Sequence, residues 1–452
     1  MRVLLLNLPW HENGRLGVRA GSRWSFTSKP GKDGRIHYIP FPFFLAYAAA
    51  LLKKGNREVR LIDAIAAGTD ESTLIEEIKS YNPGLIVVET STPSFKNDLK
   101  IIKDIHNHLP DCQVAISGPH ATVFCEQILK EYNFINYILI GEYERILSDL
   151  VNCLENNLGL DSILGLSYRK GDKIIINQSK PAIDNLDNLP WPERETLPMY
   201  KYNDAFCDLP EPNVQMWASR GCSFGCIFCL WPQVIYREHK YRKRNPVDVV
   251  DEMEYLINRF NFKAVYFDDD VFNIDRSHVL NICKGIKTRK IKIPWAAMAR
   301  ADLMDEELLK FLSDAGLYAV KYGIESANQD ILNFCKKKMD LSKVHKVIKI
   351  TKRLGIKVHL TFCLGLPGET KLTIQETTRF IQDVRPDSLQ FSFATSFPGT
   401  EYFEYLKDRG WLLSGDWSDY DGNYKCIVKT EELASKEIEE IKIALSNNFH
   451  LQ

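Results

Sequence analysis

Short β-branched runs alternate with amphipathic stretches along most of this chain, and that rhythm confines it to a few β/α architectures. Residues 3–8, 59–62, 84–88, 113–117 and 137–140 read as buried parallel strands, with helices over 43–54, 71–81, 95–108, 122–132 and 142–154. Five such units predict a doubly wound, flavodoxin-like α/β sheet whose ligand sits beyond the carboxyl ends of the strands. A hairpin is expected within 160–177, and the Asp- and Pro-rich run 184–192 marks a linker. The rhythm then restarts, with strands over 214–217, 264–268, 295–299, 318–323, 358–364 and 388–393 and helices over 247–261, 277–288, 305–315, 341–354 and 372–384. Six units fall short of the eight of a closed barrel, so a partial (β/α)6 TIM-type barrel is predicted. The expected organisation is a sheet domain over 1–158, hairpin and linker over 159–205, the partial barrel over 206–410 and a small segment over 411–452, where 420–428 reads as strand and 435–448 as helix.

The loop after the first barrel strand carries Cys222, Cys226 and Cys229 in a Cys-x-x-x-Cys-x-x-Cys array, with Gly221 and Gly225 permitting tight turns. Three thiolates without a close fourth suit a cubane iron–sulfur cluster that keeps one iron open for a ligand. A four-sulfur zinc site favours repeated Cys-x-x-Cys pairs, and no second pair is present. With 11 cysteines, an odd number, and no stretch that reads as a secretory leader, a disulfide framework is not expected.

Polar residues collect at the ends of the other barrel strands: Asp268-Asp269-Asp270, Arg300 with Asp302, Glu325-Ser326, and Gly365-Leu366-Pro367-Gly368-Glu369. The aspartate run reads either as a magnesium site or as a solvated turn, and Arg300 either as a ligand fork or as a partner of Asp302 or Asp268. In the first domain the corresponding loops hold Asn7 to Trp10, Thr90 to Pro93, Gly118 to Thr122, and Gly141-Glu142; no Gly-x-Gly-x-x-Gly follows the first strand, which argues against a dinucleotide.

The cysteine array, with Phe228 before its last cysteine, resembles the signature of the radical S-adenosylmethionine (SAM) enzymes. The first-domain loops, with the Phe41-Pro42-Phe43-Phe44 run, resemble the cobalamin-binding domain that precedes many of those barrels. The resemblance implies a 4Fe-4S cluster on Cys222, Cys226 and Cys229, and SAM contacts from Phe228, Asp268, Arg300, Glu325, Ser326, Gly365 and Pro367. It implies cobalamin contacts from Asn7, Pro9, Trp10, Ser91, Thr92, Gly118, His120, Thr122, Gly141 and Glu142. His11 and Gly14 match part of an Asp-x-His-x-x-Gly loop that supplies a lower cobalt ligand, but proline stands at the aspartate position, so the partner that would orient the imidazole is missing. The stretch from 14 to 38 is expected to fold over the ligand.

By the same resemblance the activity is methyl transfer to an unactivated carbon, or to phosphorus, through a 5'-deoxyadenosyl radical and methylcobalamin, fed by an external one-electron reductant of flavodoxin or ferredoxin type. Cyclisation or ring rearrangement without net methyl transfer, and a non-catalytic cobalamin or iron–sulfur sensor, are the alternatives. The substrate is a small molecule or a polypeptide side chain. Lys plus Arg (58) nearly equals Asp plus Glu (59), so nucleic acid is not expected. No apolar run reaches bilayer length, and a reduced cytoplasm is the expected setting. The basic run 237–244 reads as a solvated face or a contact for an anionic or polypeptide partner, and Cys207, Cys363 and Cys426 as core thiols, ligands of a second metal or participants in a catalytic step.

Overall fold

The computed structural model describes residues 1–12, 14–31, 36, 38–179, 182–204 and 206–449. The strands Val3–Asn7, Val59–Asp63, Leu85–Glu89, Gln113–Ser117 and Tyr137–Leu139 run parallel in the spatial order second, first, third, fourth, fifth, the flavodoxin-like winding. Val3–Asn7 and Leu85–Glu89 are buried along their whole length, which their continuous apolar sequences require when helices cover both faces. Alternate residues divide between two cores: Leu4, Leu6, Ile86 and Val88 face one layer, Val3, Leu5, Leu85 and Val87 the other. The second layer runs without a break into the barrel, where Phe43 stacks on Trp217 with 4.0 Å between ring centroids.

The second sheet orders Asn213–Met216, Ala264–Phe267, Trp295–Ala299, Leu317–Glu325, Lys357–Leu364 and Ser388–Phe393 consecutively, all parallel, as the open barrel that six units predict. Side-chain caps fix where its helices begin: Asn245 ahead of Pro246–Phe260, Asp275 ahead of Arg276–Thr288, Asp305 ahead of Glu306–Asp314 and Thr370 ahead of Lys371–Val384. Among the described residues no helix is long and apolar enough to cross a membrane.

Four expectations change. The hairpin is not part of a linker: Leu166–Lys170 pairs antiparallel with Tyr137–Leu139 and extends the first sheet to seven strands. The helix expected over 122–132 starts earlier, because Pro119 occupies the first helical position after Gly118, and it is split at Phe124, whose backbone leaves helical geometry. The stretch after Trp10 is more than a loop, since His11–Glu12, Arg15–Val18 and Phe26–Ser28 form a small antiparallel sheet. Residues 420–428 form no strand. Asp421 there accepts from the backbone and hydroxyl of Thr27, tying the carboxy-terminal segment to that small sheet by side-chain bonds, and only a Leu412–Val428 bridge remains.

Candidate active site at the facing strand ends

The cysteine loop is fastened by its own backbone. Gln233 donates through Nε2 to the carbonyls of Cys226, Ile227 and Cys229 (3.2, 2.9 and 2.8 Å), and Ile227 N–H donates to the Cys335 carbonyl at 3.1 Å. Cys226 is buried, Cys222 and Cys229 partly so. A hydrogen bond from Cys229 pulls the Cys226 thiol down to about 7, helped by Lys337 and Arg300, and pushes Cys229 well up in return. Among the described residues no three His, Cys, Asp or Glu side chains converge on a single ion. A cubane cluster takes one thiolate per iron at separate metals, so three spaced cysteines beside two cations fit it, and they do not form a site for one tetrahedral ion.

Arg300 lies against this loop with its guanidinium 3.6 Å from the Phe224 ring centre. Its fork is spent on Asp302 (3.0 and 2.8 Å) and on the Lys337 carbonyl at 3.0 Å, which is the ion-pair alternative. Glu325 stands at a bulge with φ 70°, paired with Lys337 at 2.7 Å and accepting from the Cys363 thiol at 3.3 Å. The Ser326 hydroxyl accepts from Asn328 N–H at 3.2 Å. Gly365, at φ 95°, donates its N–H to Glu369, whose burial raises its carboxyl to about 8; Pro367 is buried in the same turn, and Phe228 is buried in the core.

The three aspartates are neither a magnesium site nor a solvated turn. Asp269 accepts from Ala218 N–H at 2.9 Å and from the Ser219 hydroxyl; Asp270 accepts from Gly221 N–H and Tyr236 O–H, both at 2.8 Å. Asp268 and Asp270 both receive Arg23 (2.7 and 2.9 Å), which reaches across from the small amino-terminal sheet and lies 4.7 Å over Trp231. The run therefore clamps the cysteine loop to the second barrel strand and to the first domain.

A narrow cavity of about 20 Å³ lies between the two sets of strand ends. Ser91, Gly118, Gly141 and Glu89 line it from the first domain, Trp231 and Ile235 from the barrel. Gly118, at φ 100°, is pressed so close to the Thr90 carbonyl that a Cβ would sit 2.0 Å away. Glu89 accepts from Tyr143 O–H at 2.7 Å and is raised to about 7 by burial. This hydroxyl- and carboxyl-lined crevice suits the amide-bearing rim of a corrinoid. Its volume is far below the about 300–1,000 Å³ of ligand pockets, so a molecule of that size enters only where the lining residues Arg19, Ser22 and Ser25 give way.

The other residues tied to cobalamin by the sequence are spent elsewhere or stand aside. Asn7 donates to Asp63 at 2.8 Å, Pro9 accepts from Asn97 at 2.9 Å, and Trp10 packs face-on against Gly17. Thr92 is buried where its carbonyl receives Phe95 N–H, and Thr122 accepts from Gly141 N–H at 3.0 Å. His120 is sandwiched between Phe95, Phe124 and Trp417, and burial pushes it down to about 3. His11 is exposed, held by its backbone pairing to Leu16, and does not line the cavity. Glu142 turns toward the barrel, accepting from Arg220 (3.1 Å), Arg242 (2.6 Å) and Ile183 N–H (2.9 Å). Four cations of the basic run are consumed in the same way: Arg242 on Glu142, Arg244 on Glu252, Lys240 on Asp184 and Lys243 on Asp275. Sequence reasoning missed Arg23, Glu89, Tyr143 and Lys337, which carry no local motif.

The buried acids give a pH signature. Glu89, Asp269 and Glu369 are raised to about 7, 7 and 8 by burial, so the native state binds more protons than the unfolded chain between the ordinary carboxylate range and those values. Stability is therefore expected to fall as pH rises from about 5 to about 8. Glu369→Gln should flatten that slope in urea unfolding, and an unchanged slope would contradict the assignment of these protons.

A family model for the radical SAM superfamily matches residues 218–381, and one for the B12-binding domain matches 34–151. An uncharacterized methyltransferase of Pyrococcus horikoshii is 29% identical over 91% of this chain and 88% of its own length. The anaerobic magnesium-protoporphyrin IX monomethyl ester cyclase of Cereibacter sphaeroides is 29% identical over 84% of this chain, which spans 62% of that enzyme. The radical SAM methyltransferase TsrM of Kitasatospora setae, solved with cobalamin and a 4Fe-4S cluster, superposes with TM-score 0.74 over 98% of this chain and 90% of its own at 17% identity, a likeness of fold.

Proposed function

This chain is a radical SAM enzyme with a B12-binding domain, and from that premise we propose that it transfers a methyl group to an unactivated carbon, or to phosphorus, of its substrate. One observation carries the reading: the ligand face of the first sheet and the mouth of the barrel line the same cavity, with Trp231, two residues beyond Cys229, in its wall. When bound, the cluster and SAM supply a radical able to take hydrogen from carbon, and cobalamin supplies a methyl group.

The chain's own residues bind, orient and seal. Cys222, Cys226 and Cys229 hold the cluster. Arg300 meets the SAM carboxylate by exchanging its fork from Asp302, as its planar donors allow. Asp268 is assigned to the methionine ammonium, Glu325 and Ser326 to the ribose, and Gly365, Pro367 and Phe228 to the adenine side. Ser91, Gly118 and Gly141 border the corrinoid, and Arg23 with the small amino-terminal sheet excludes water from the space between the domains. A flavodoxin- or ferredoxin-type protein supplies electrons, and a reducing, cytoplasmic setting suits such a cluster. The substrate is a small molecule or a polypeptide side chain.

Cyclisation is the second reading, favoured by the identity to the ester cyclase. The reconstituted, reduced enzyme, given SAM with a trideuterated methyl group and a metabolite extract, is expected to yield a product carrying the label. Unlabelled, hydrogen-depleted products would support cyclisation, and the absence of 5'-deoxyadenosine would leave the sensor reading.

A further inference from the structure

The inward positions of β/α barrels are ordinarily filled by layers of branched apolar side chains, yet the lower lumen here is polar. Val265 and Phe267 belong to the helix-facing core, so Tyr266 points inward with Ala264, Ala296 and Ala319. On the neighbouring strands Met298, Lys321, His359 and Ser388 are register partners in one inward row. Phe206 closes this space from below, its ring 5.2 Å from Tyr266 and 5.4 Å from His359, with Lys321 Nζ 4.9 Å over it. Met298, Gly323 and Thr361, inward residues on central strands, are partly exposed, so the lumen is open toward the mouth.

Among the described residues Tyr266 Oη and His359 Nε2, on residues 0% and 6% exposed, make no hydrogen bond, although the Gln390 side chain stands near the imidazole. Natural proteins leave few buried polar groups unpaired, and each such group calls for a reason. We propose that Tyr266 and His359, beside Lys321, form the floor of a substrate pocket that receives an uncharged, oxygen-bearing end of a small molecule, a carbonyl, amide or hydroxyl group. The proposal rests on the reading that the barrel hosts the transfer, and it narrows the substrate class.

Charge and donor direction select that chemistry. Lys321 is paired with buried Asp204 at 3.0 Å, so on this floor an incoming carboxylate or phosphate finds no free cation and an ammonium no free carboxylate, and each keeps its desolvation cost uncompensated. Ser388 Oγ lies 2.7 Å from His359 Nδ1 and 3.1 Å from Cys207 Sγ. Sulfur is the weak acceptor of the three, so the relay runs from the Cys207 thiol to the Ser388 hydroxyl to Nδ1, which leaves Nε2–H as a donor. Burial and Lys321 keep the imidazole neutral. With the tyrosine hydroxyl, two donors face the lumen, and a single oxygen acceptor can satisfy them.

The test uses the reconstituted holoenzyme and four probes on one ring: cyclohexanone, cyclohexanecarboxamide, cyclohexanecarboxylate and cyclohexylammonium, followed by ligand-observed NMR. The ketone and amide are expected to bind, the two ions are not, and Tyr266→Phe and His359→Leu should each weaken the neutral probes about 3- to 10-fold, the worth of one hydrogen bond. Tyr266→Phe removes one oxygen, so loss of fold does not obscure its result. Preferred binding of either ion, affinities unmoved by both variants, or no binding by the wild type would overturn the proposal. Deoxyadenosine formation by the wild type is measured separately; its absence alongside intact probe binding sinks the reaction and leaves the pocket standing.

Discussion

Cys226→Ala is expected to remain folded and to form no 5'-deoxyadenosine above background from SAM under reducing conditions. The two halves of that expectation have separate causes. The loop is held by the carboxamide of Gln233 on three carbonyls, by Ile227 N–H on Cys335 and by Tyr402 N–H on Ile227, none of which uses the sulfur. Alanine therefore removes a ligand and leaves the scaffold. With three cysteines available, losing one takes away an iron's only protein ligand, and cluster content should fall with activity. Iron and sulfide analysis beside circular dichroism checks both halves. A variant that keeps a full cluster and full deoxyadenosine yield would remove Cys226 from the site.

Arg220→Met is expected to cost about 3–5 kcal/mol of stability, the usual consequence of removing one partner from a buried ion network. Arg220 is 2% exposed and donates to Glu142 at 3.1 Å and Glu144 at 2.7 Å, while its guanidinium also lies within 4.6 to 5.3 Å of the Tyr47, Trp217 and Phe44 rings. Without it, the Glu144 carboxylate, already raised by burial, is left in the domain interface with no cation, while Glu142 retains Arg242. Adding Glu144→Gln should restore part of the loss, because the stranded charge goes with it. Urea unfolding of the two single variants and the double variant reads this directly; equal losses for Arg220→Met alone and for the pair would show that packing on the rings dominates. Arg220 lies two residues before Cys222, so loosened docking should also reach the cluster loop.

Both layers of the fold were legible because they depend on local signals. Continuous apolar runs mark buried parallel strands, amphipathic stretches mark the helices between them, and the count of β/α units separates an open barrel from a closed one. What escaped depends on residues far apart in sequence. Arg23 meets Asp268 across 245 positions and Arg220 meets Glu142 across 78, distances over which no periodicity or spacing carries information. Glu142 shows the limit of local reading: a carboxylate just beyond a strand end looks like ligand chemistry, but two arginines from the second domain claim it. The magnesium and solvated-turn readings of the aspartate run failed for the same reason, since its acceptors serve backbone donors of the neighbouring loop and one arginine from the other domain. The polar lumen escaped as well, because Lys321, His359 and Ser388 form one row only through the register of three strands.

The proposed methyl transfer through methylcobalamin uses SAM twice in each turnover, once as the source of the radical and once to return a methyl group to cobalamin. Its most direct test is the ratio of S-adenosylhomocysteine to 5'-deoxyadenosine formed by the anaerobically reconstituted, cobalamin-loaded enzyme supplied with reductant, SAM and metabolite extract. Methyl transfer predicts that the two products rise together in equal amounts, and that both depend on Cys226. Deoxyadenosine formed without S-adenosylhomocysteine would contradict methyl transfer and place the protein with the cyclases.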